Sequence, residues 1–169
     1  MDRLWSPWRL AYVTATGSTD AGCIFCDAHA QPGRPGSNDL ILIRGRVTFV
    51  ILNLYPYNSG HLMVVPARHV ATLAQTTAEE QAELMRFTRH AEIALTEVYK
   101  PQGLNIGVNL GRPAGAGVLD HLHVHVVPRW NGDTNFMSVI GETRVLPEEL
   151  SETAKRLRPV FERLSRNDV

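Results

Sequence analysis

His121, His123 and His125 occupy every second position of the run His121-Leu122-His123-Val124-His125-Val126-Val127-Pro128-Arg129. Extended backbone turns alternate side chains to opposite faces, so this spacing predicts three imidazoles on one surface and Leu122, Val124 and Val126 on the other. Such a segment reads as a half-buried strand with one apolar face and one chemical face. Imidazole serves nucleophilic, acid–base and metal chemistry near neutral pH. Three histidines plus a water could form a catalytic zinc site. Strand geometry argues against it: alternate residues lie about 6.6 Å apart at roughly 3.3 Å rise per residue, whereas every ligand nitrogen must come within about 2.1 Å of one ion. The competing chemistry is covalent. A neutral imidazole attacks an electrophilic phosphorus while its neighbours orient it and stabilise the developing charge. His123, flanked on both sides, is the natural nucleophile.

The segment before this strand, Gly111-Arg112-Pro113-Ala114-Gly115-Ala116-Gly117, is rich in glycine. Gly115 and Gly117 would let backbone amides approach phosphate oxygens, although the same glycines would also serve a plain turn. Upstream, residues 40–43, 47–53 and 62–65 read as three short strands in an antiparallel meander. Thr77 and Glu80 have the spacing of a capping box. Leu84, Phe87, Ala91, Leu95 and Val98 then follow at helical spacing until Pro101 and Gly103 end a long helix. Residues 104–110 and 121–127 supply two further strands. Pro147, Glu148 and Glu149 open a C-terminal helix. The expected fold class is α+β: a single domain over 1–169, with about five mostly antiparallel strands, one long helix and a C-terminal helix, the helices on one side. Residues 1–20 read as an arm whose Trp5 and Trp8 pack on the same or a neighbouring subunit, and residues 31–38 as a mobile surface loop.

Hydrophobic residues make up 44% of the 169 and charged ones 20%, an ordinary globular balance. Lys plus Arg and Asp plus Glu both number 17, so no overall charge favours polymeric nucleic acid or a membrane surface, while a local anion pocket stays open. The first residues break each apolar run with a charge or a proline, unlike a secretory signal, and no run has the length of a membrane span. With two cysteines, the expectation is a reducing cytoplasm and no structural disulfide. No organic cofactor is expected. Cys23-Ile24-Phe25-Cys26 has the spacing of half a zinc site, which needs two further ligands; a redox pair or two packed thiols are the other readings.

The run 121–127 resembles the signature of the histidine triad family of nucleotide-binding proteins. The likeness extends through Leu52-Asn53-Leu54-Tyr55-Pro56-Tyr57-Asn58-Ser59-Gly60-His61-Leu62-Met63-Val64-Val65-Pro66, through Asn105-Ile106-Gly107-Val108-Asn109-Leu110-Gly111, and through Pro128 to Phe136. These stretches look most like the bacterial branch that includes diadenosine tetraphosphate phosphorylases, with the hydrolase branch next. The resemblance implies that His123 attacks the α-phosphate and becomes adenylylated, and that His125 contacts the phosphate and helps stabilise charge or the leaving group. It places Asn53 at the ribose, His61 at the phosphate end of the cleft, Asn109 at a phosphate-side contact, and Gly115, Ala116 and Gly117 in the phosphate loop. Relatives carry a Ser or Thr hydroxyl in that loop where this chain has Gly115-Ala116-Gly117, so one donor to the transition state is absent. Loss of such a donor costs on the order of a hundredfold in rate. Several bacterial relatives complete a structural zinc site with histidines that match His69 and His121, making Cys23, Cys26, His69 and His121 the expected set. The implied partners are a dinucleoside polyphosphate such as diadenosine tetraphosphate, inorganic phosphate as acceptor, and further copies of the chain in a homodimer or higher homo-oligomer. A hydrolase acting on the same compounds or on adenosine phosphoramidates, and a non-catalytic nucleotide sensor, are the alternatives.

Overall fold

The structure is a computed structural model of the chain and describes residues 22–30, 40–133 and 148–167. The expected arm, the 31–38 loop and Pro147 lie outside the described residues. Five strands form one antiparallel sheet: β1 (Ile41–Arg44), β2 (Thr48–Leu52), β3 (Leu62–Pro66), β4 (Gly103–Val108) and β5 (Val124–Arg129), in the order β1-β2-β3-β5-β4. The first three are the expected meander. Three α-helices accompany them, α1 (Ile24–Ala30), α2 (Ala78–Tyr99) and α3 (Leu150–Arg166). No helix among the described residues is long and apolar enough to cross a membrane.

Period-two alternation divides the sheet into two faces. Val50, Leu52, Leu62, Val64, Val124 and Val126 form the main core with Leu84, Phe87, Ala91 and Leu95 of α2 and Leu157 and Phe161 of α3. Phe49, Ile51, Met63 and Val65 point the other way and meet Phe25 of α1. Helices therefore cover both faces, which corrects the expectation of helices on one side only. A seven-residue helix is too short to display an amphipathic period, and the Cys23–Cys26 spacing hides it further.

The ends of α2 follow local chemistry. Thr77 accepts from the Glu80 amide and the Glu80 carboxylate accepts from the Thr77 amide, closing the expected capping box. At the other end Lys100 adopts φ 48° and Pro101 follows, so the helix stops where it cannot continue. Before α3 the Glu148 carboxylate accepts from the Tyr99 hydroxyl, from Thr153 Oγ1 at 2.8 Å and from Arg156 at 2.6 Å, tying the two large helices together.

The β1–β2 turn is held by a buried carboxylate. Glu83 Oε2 accepts from the Val47 and Thr48 amides, both at 2.7 Å, and from Thr48 Oγ1 at 2.9 Å, while Oε1 accepts from the Arg46 amide at 3.2 Å. Gly45 makes room for it, since a Cβ there would lie 2.7 Å from Glu83 Oε2 and 2.6 Å from the Phe87 ring. Burial raises the Glu83 pKa, but these hydrogen bonds outweigh it and hold the group below its ordinary 4.5. The stabilisation from Glu83 is thus complete above the unfolded value and is lost as pH falls through the lower folded value. Glu83→Gln, which keeps the shape but removes the charge, is expected to lower stability by about 1–3 kcal/mol at neutral pH. Denaturant titrations at several pH values should show that difference shrinking below about pH 4.

Candidate active site and metal cluster

The ladder of β5 begins at Val124, so of the three histidines only His125 lies within the strand; the expected strand over 121–127 starts three residues late. The alternation nevertheless continues backwards. The Leu122 amide donates to Val70 O at 2.6 Å and the Leu122 side chain enters the main core, which leaves His121 and His123 on the face shared with His125. His125 pairs with Met63 on one side and Gly107 on the other. Ile51 pairs with Met63, so Ile51, Met63 and His125 make a cross-strand row.

This row floors a cavity of about 350 Å³. Ile24, Phe25 and Ala28 of α1 form one apolar wall, and Asn53, Gly115, Gly117, His123 and His125 supply the polar part. An apolar pocket with a few convergent polar groups is the usual form of a small-molecule site. The contribution of α1 was not legible in the sequence, because the side chains between the two cysteines gave no periodic signal of their own.

Hydrogen bonds set the proton on each imidazole. His123 Nδ1 lies 2.8 Å from His121 O, an acceptor only, so Nδ1 carries the proton and Nε2 holds the lone pair. Burial pushes the His123 pKa down, which favours the neutral ring. The Tyr57 amide donates to His61 Nδ1 at 3.1 Å, so neutral His61 has its proton on Nε2, and that nitrogen lies 3.0 Å from His125 Nδ1. His125 in turn carries its proton on Nε2. The site therefore sets a ring with a lone pair on Nε2 beside a ring with a proton on Nε2, with centroids 4.8 Å apart.

The other predicted site residues are placed as follows. Asn53 lines the cavity and its Oδ1 accepts from the Tyr55 amide at 2.9 Å. His61 is fully buried behind His125, with Tyr57 stacked on it at 4.7 Å, and does not line the cavity. Its approach depends on Gly60, whose φ of +83° and distance of 2.9 Å from a would-be Cβ to Leu95 exclude a side chain. Asn109 also lies off the cavity, and its Nδ2 donates to Gly115 O at 3.5 Å. Within the glycine loop the Gly115 amide donates to Arg112 O and the Ala116 amide to Gly111 O. Of these three residues, the Gly117 amide is the one left to face an anion.

His121 belongs to a different cluster. Its Nε2 donates to Pro66 O at 2.8 Å, which leaves a lone pair on Nδ1, 3.1 Å from Cys23 Sγ and 3.6 Å from Cys26 Sγ. His69 Nδ1 lies 3.3 Å from Cys26 Sγ, and the four ligand atoms all fall within 4.8 Å of one another. A tetrahedral ion with bonds of about 2.0–2.3 Å spaces its ligands by roughly 3.3–3.8 Å, so the donors fit. Burial, reinforced by Cys23, pushes the Cys26 thiol up to about 11, as expected for a sulfur that needs a cation before it ionises.

The HIT domain family model matches residues 35–132, and the chain belongs to that family. It is 44% identical over 161 residues to a protein of Mycobacterium tuberculosis named AP-4-A phosphorylase, covering 93% of this chain and 83% of that relative. A Zn-bound histidine triad family protein from Mycobacterium smegmatis superposes with a TM-score of 0.67 at 25% identity, over 86% of this chain and 97% of that one. A histidine triad nucleotide-binding protein from Sulfolobus tokodaii gives 0.66 at 28% identity, over 86% and 95%.

Elemental analysis of protein purified without added metal is expected to find close to one divalent ion per chain. Cys26→Ser should lower both the metal content and the melting temperature, because metal binding is coupled to folding. A stable, metal-free wild-type chain would refute the cluster as a metal site.

Proposed function

We propose that the chain is a nucleotidyltransferase that cleaves diadenosine tetraphosphate through a covalent histidine–AMP intermediate and passes the adenylyl group to inorganic phosphate. The observation that carries this reading is the pair of opposed tautomers, with a lone pair on His123 Nε2 and a proton on His125 Nε2. In the first step His123 Nε2 bonds to the α-phosphorus while the bond to the bridging oxygen breaks. The His125 Nε2–H donates a hydrogen bond to the bridging oxygen, which leaves with the bonding electron pair as the ATP anion, so no net proton transfer is required. In the second step a phosphate oxygen bonds to the same phosphorus, the P–N bond breaks, and ADP leaves. Asn53 is assigned to the ribose, Ile24, Phe25, Ala28, Ile51 and Met63 to the base, and the Gly117 amide to a phosphate oxygen. His61 and Asn109 act at one remove, the first by holding the proton of His125 and the second by bracing the loop.

Phosphate rather than water as acceptor is supported by the similarity to the M. tuberculosis protein named for phosphorolysis. Zinc is the ion proposed for Cys23, Cys26, His69 and His121, since two sulfurs and two imidazole nitrogens suit its tetrahedral geometry and the M. smegmatis neighbour is Zn-bound. It supplies a structural cross-link. A homodimer formed along β4 is supported by that strand's position at the sheet edge and by the exposure of Ile106 and Leu110.

Product analysis separates the acceptors. With diadenosine tetraphosphate and phosphate the expected products are ADP and ATP, at a rate that rises saturably with phosphate. AMP and ATP at saturating phosphate would identify a hydrolase. Tight binding without product would identify a sensor. His123→Asn should lower turnover by more than about a thousandfold while leaving nucleotide affinity within a few-fold, and quenched wild-type enzyme should yield an adenylylated peptide containing His123.

A further inference from the structure

Helix α1 belongs to two sites at once. Cys23, just before it, and Cys26 on its first turn approach His69 and His121, whereas Ile24, Phe25 and Ala28 line the cavity. A helix of 7 residues does not hold itself in water, where isolated helices shorter than about 12–15 residues are marginal. Its place is set by what it touches. Phe25 is 2% exposed, with its ring 5.3 Å from His121 and 5.1 Å from His123. At the C-terminal end Arg44, the last residue of β1, donates to His29 O at 3.0 Å and Ala28 O at 3.2 Å, satisfying carbonyls that the helix leaves open. Its Nη1 also lies 2.9 Å from His29 Nδ1, and the His29 ring stacks on Phe49 at 5.0 Å. At the N-terminal end the polar tether among the described residues is the cysteine–histidine cluster.

We propose that metal binding and nucleotide binding are coupled through α1, with Arg44 as a positioning residue at the end of the helix remote from the metal. The inference rests on the metal and nucleotide readings given above. With the ion in place, Ile24, Phe25 and Ala28 are held as a wall for the nucleobase. Without it, α1 loses its N-terminal tether and keeps the Phe25 packing, the His29–Phe49 stack and the Arg44 cap; the competent state is less populated, and the apparent nucleotide affinity falls by that fraction. Linkage is reciprocal, so a bound nucleotide must retain the metal by the same factor, typically about 5–150-fold. Phe25, touching both His121 and His123, is the shortest route between the two sites.

The test uses the full chain as purified with its metal. Partition of zinc between the chain and a chromogenic chelator of known affinity is read at equilibrium with and without saturating AMP, whose affinity is measured separately by calorimetry. The apparent zinc affinity is expected to rise by about tenfold or more when AMP is bound. Arg44→Met leaves all four ligands in place and is expected to weaken zinc retention and AMP binding together, with Arg44→Lys recovering part of both. A zinc affinity indifferent to bound AMP would overturn the coupling alone. A chain that carries no zinc would overturn the metal reading, and one that does not bind AMP the nucleotide reading, and the coupling with either.

Discussion

A strand hydrogen-bonded along both edges cannot rotate about its own axis, and β5 is such a strand, lying between β3 and β4. Val124 and Val126 are committed to the helical core, so His125 must face the opposite side. The Leu122 amide, donating to Val70 O, carries that constraint two residues beyond the ladder. His123 and His121 are thereby aimed at the face of the sheet that α1 covers. The cavity and the cysteine–histidine cluster are consequences of this single alternation, since both are built from what lies opposite the core.

Facing the right way does not make an imidazole reactive. Two backbone carbonyls, Pro66 O and His121 O, and one backbone amide, that of Tyr57, decide which nitrogen of each ring bears a proton. Backbone groups are fixed in number and cannot ionise, which makes them dependable selectors of a tautomer. The same three contacts divide the labour of the three histidines. His121 presents Nδ1 to sulfur, His123 presents a lone pair from Nε2, and His125 accepts a hydrogen bond at Nδ1 and holds its own proton on Nε2.

The turns that carry these groups are secured by polar side chains, of which Glu80 and Glu83 are buried. Glu83 holds the β1–β2 turn from α2. Arg68 reaches Glu80 through two hydrogen bonds and Gln75 O through a third, fixing the segment that bears His69. Asp133 accepts from Arg129 and from Asn58 Nδ2, while Asn58 also donates to Pro128 O, so the turn before His61 is tied to the end of β5. Hydrogen bonding from Arg129 holds the Asp133 carboxyl far below its ordinary range. Glu83 and Asn58 join segments distant in the chain, while Arg68 fixes its own neighbourhood.

Much of this was legible in the residues alone. The meander, the long helix with its Thr77–Glu80 cap, and the five-stranded antiparallel sheet follow from local periodicity and capping chemistry, which act over a few residues. The pairing of Cys23 and Cys26 with His69 and His121 came from resemblance, and the structure brings the four together. What sequence could not determine is contact between distant segments. The sequence showed three equivalent-looking histidines, whereas their different partners across the fold set one beside two cysteines, leave one with a lone pair on Nε2 and one with its proton there. The resemblance put His61 at the phosphate end of the cleft, and only the buried packing beneath Gly60 sets it behind His125. The sequence bore no sign that α1 closes the second face of the sheet, because seven residues are stabilised by what they touch and not by their own pattern.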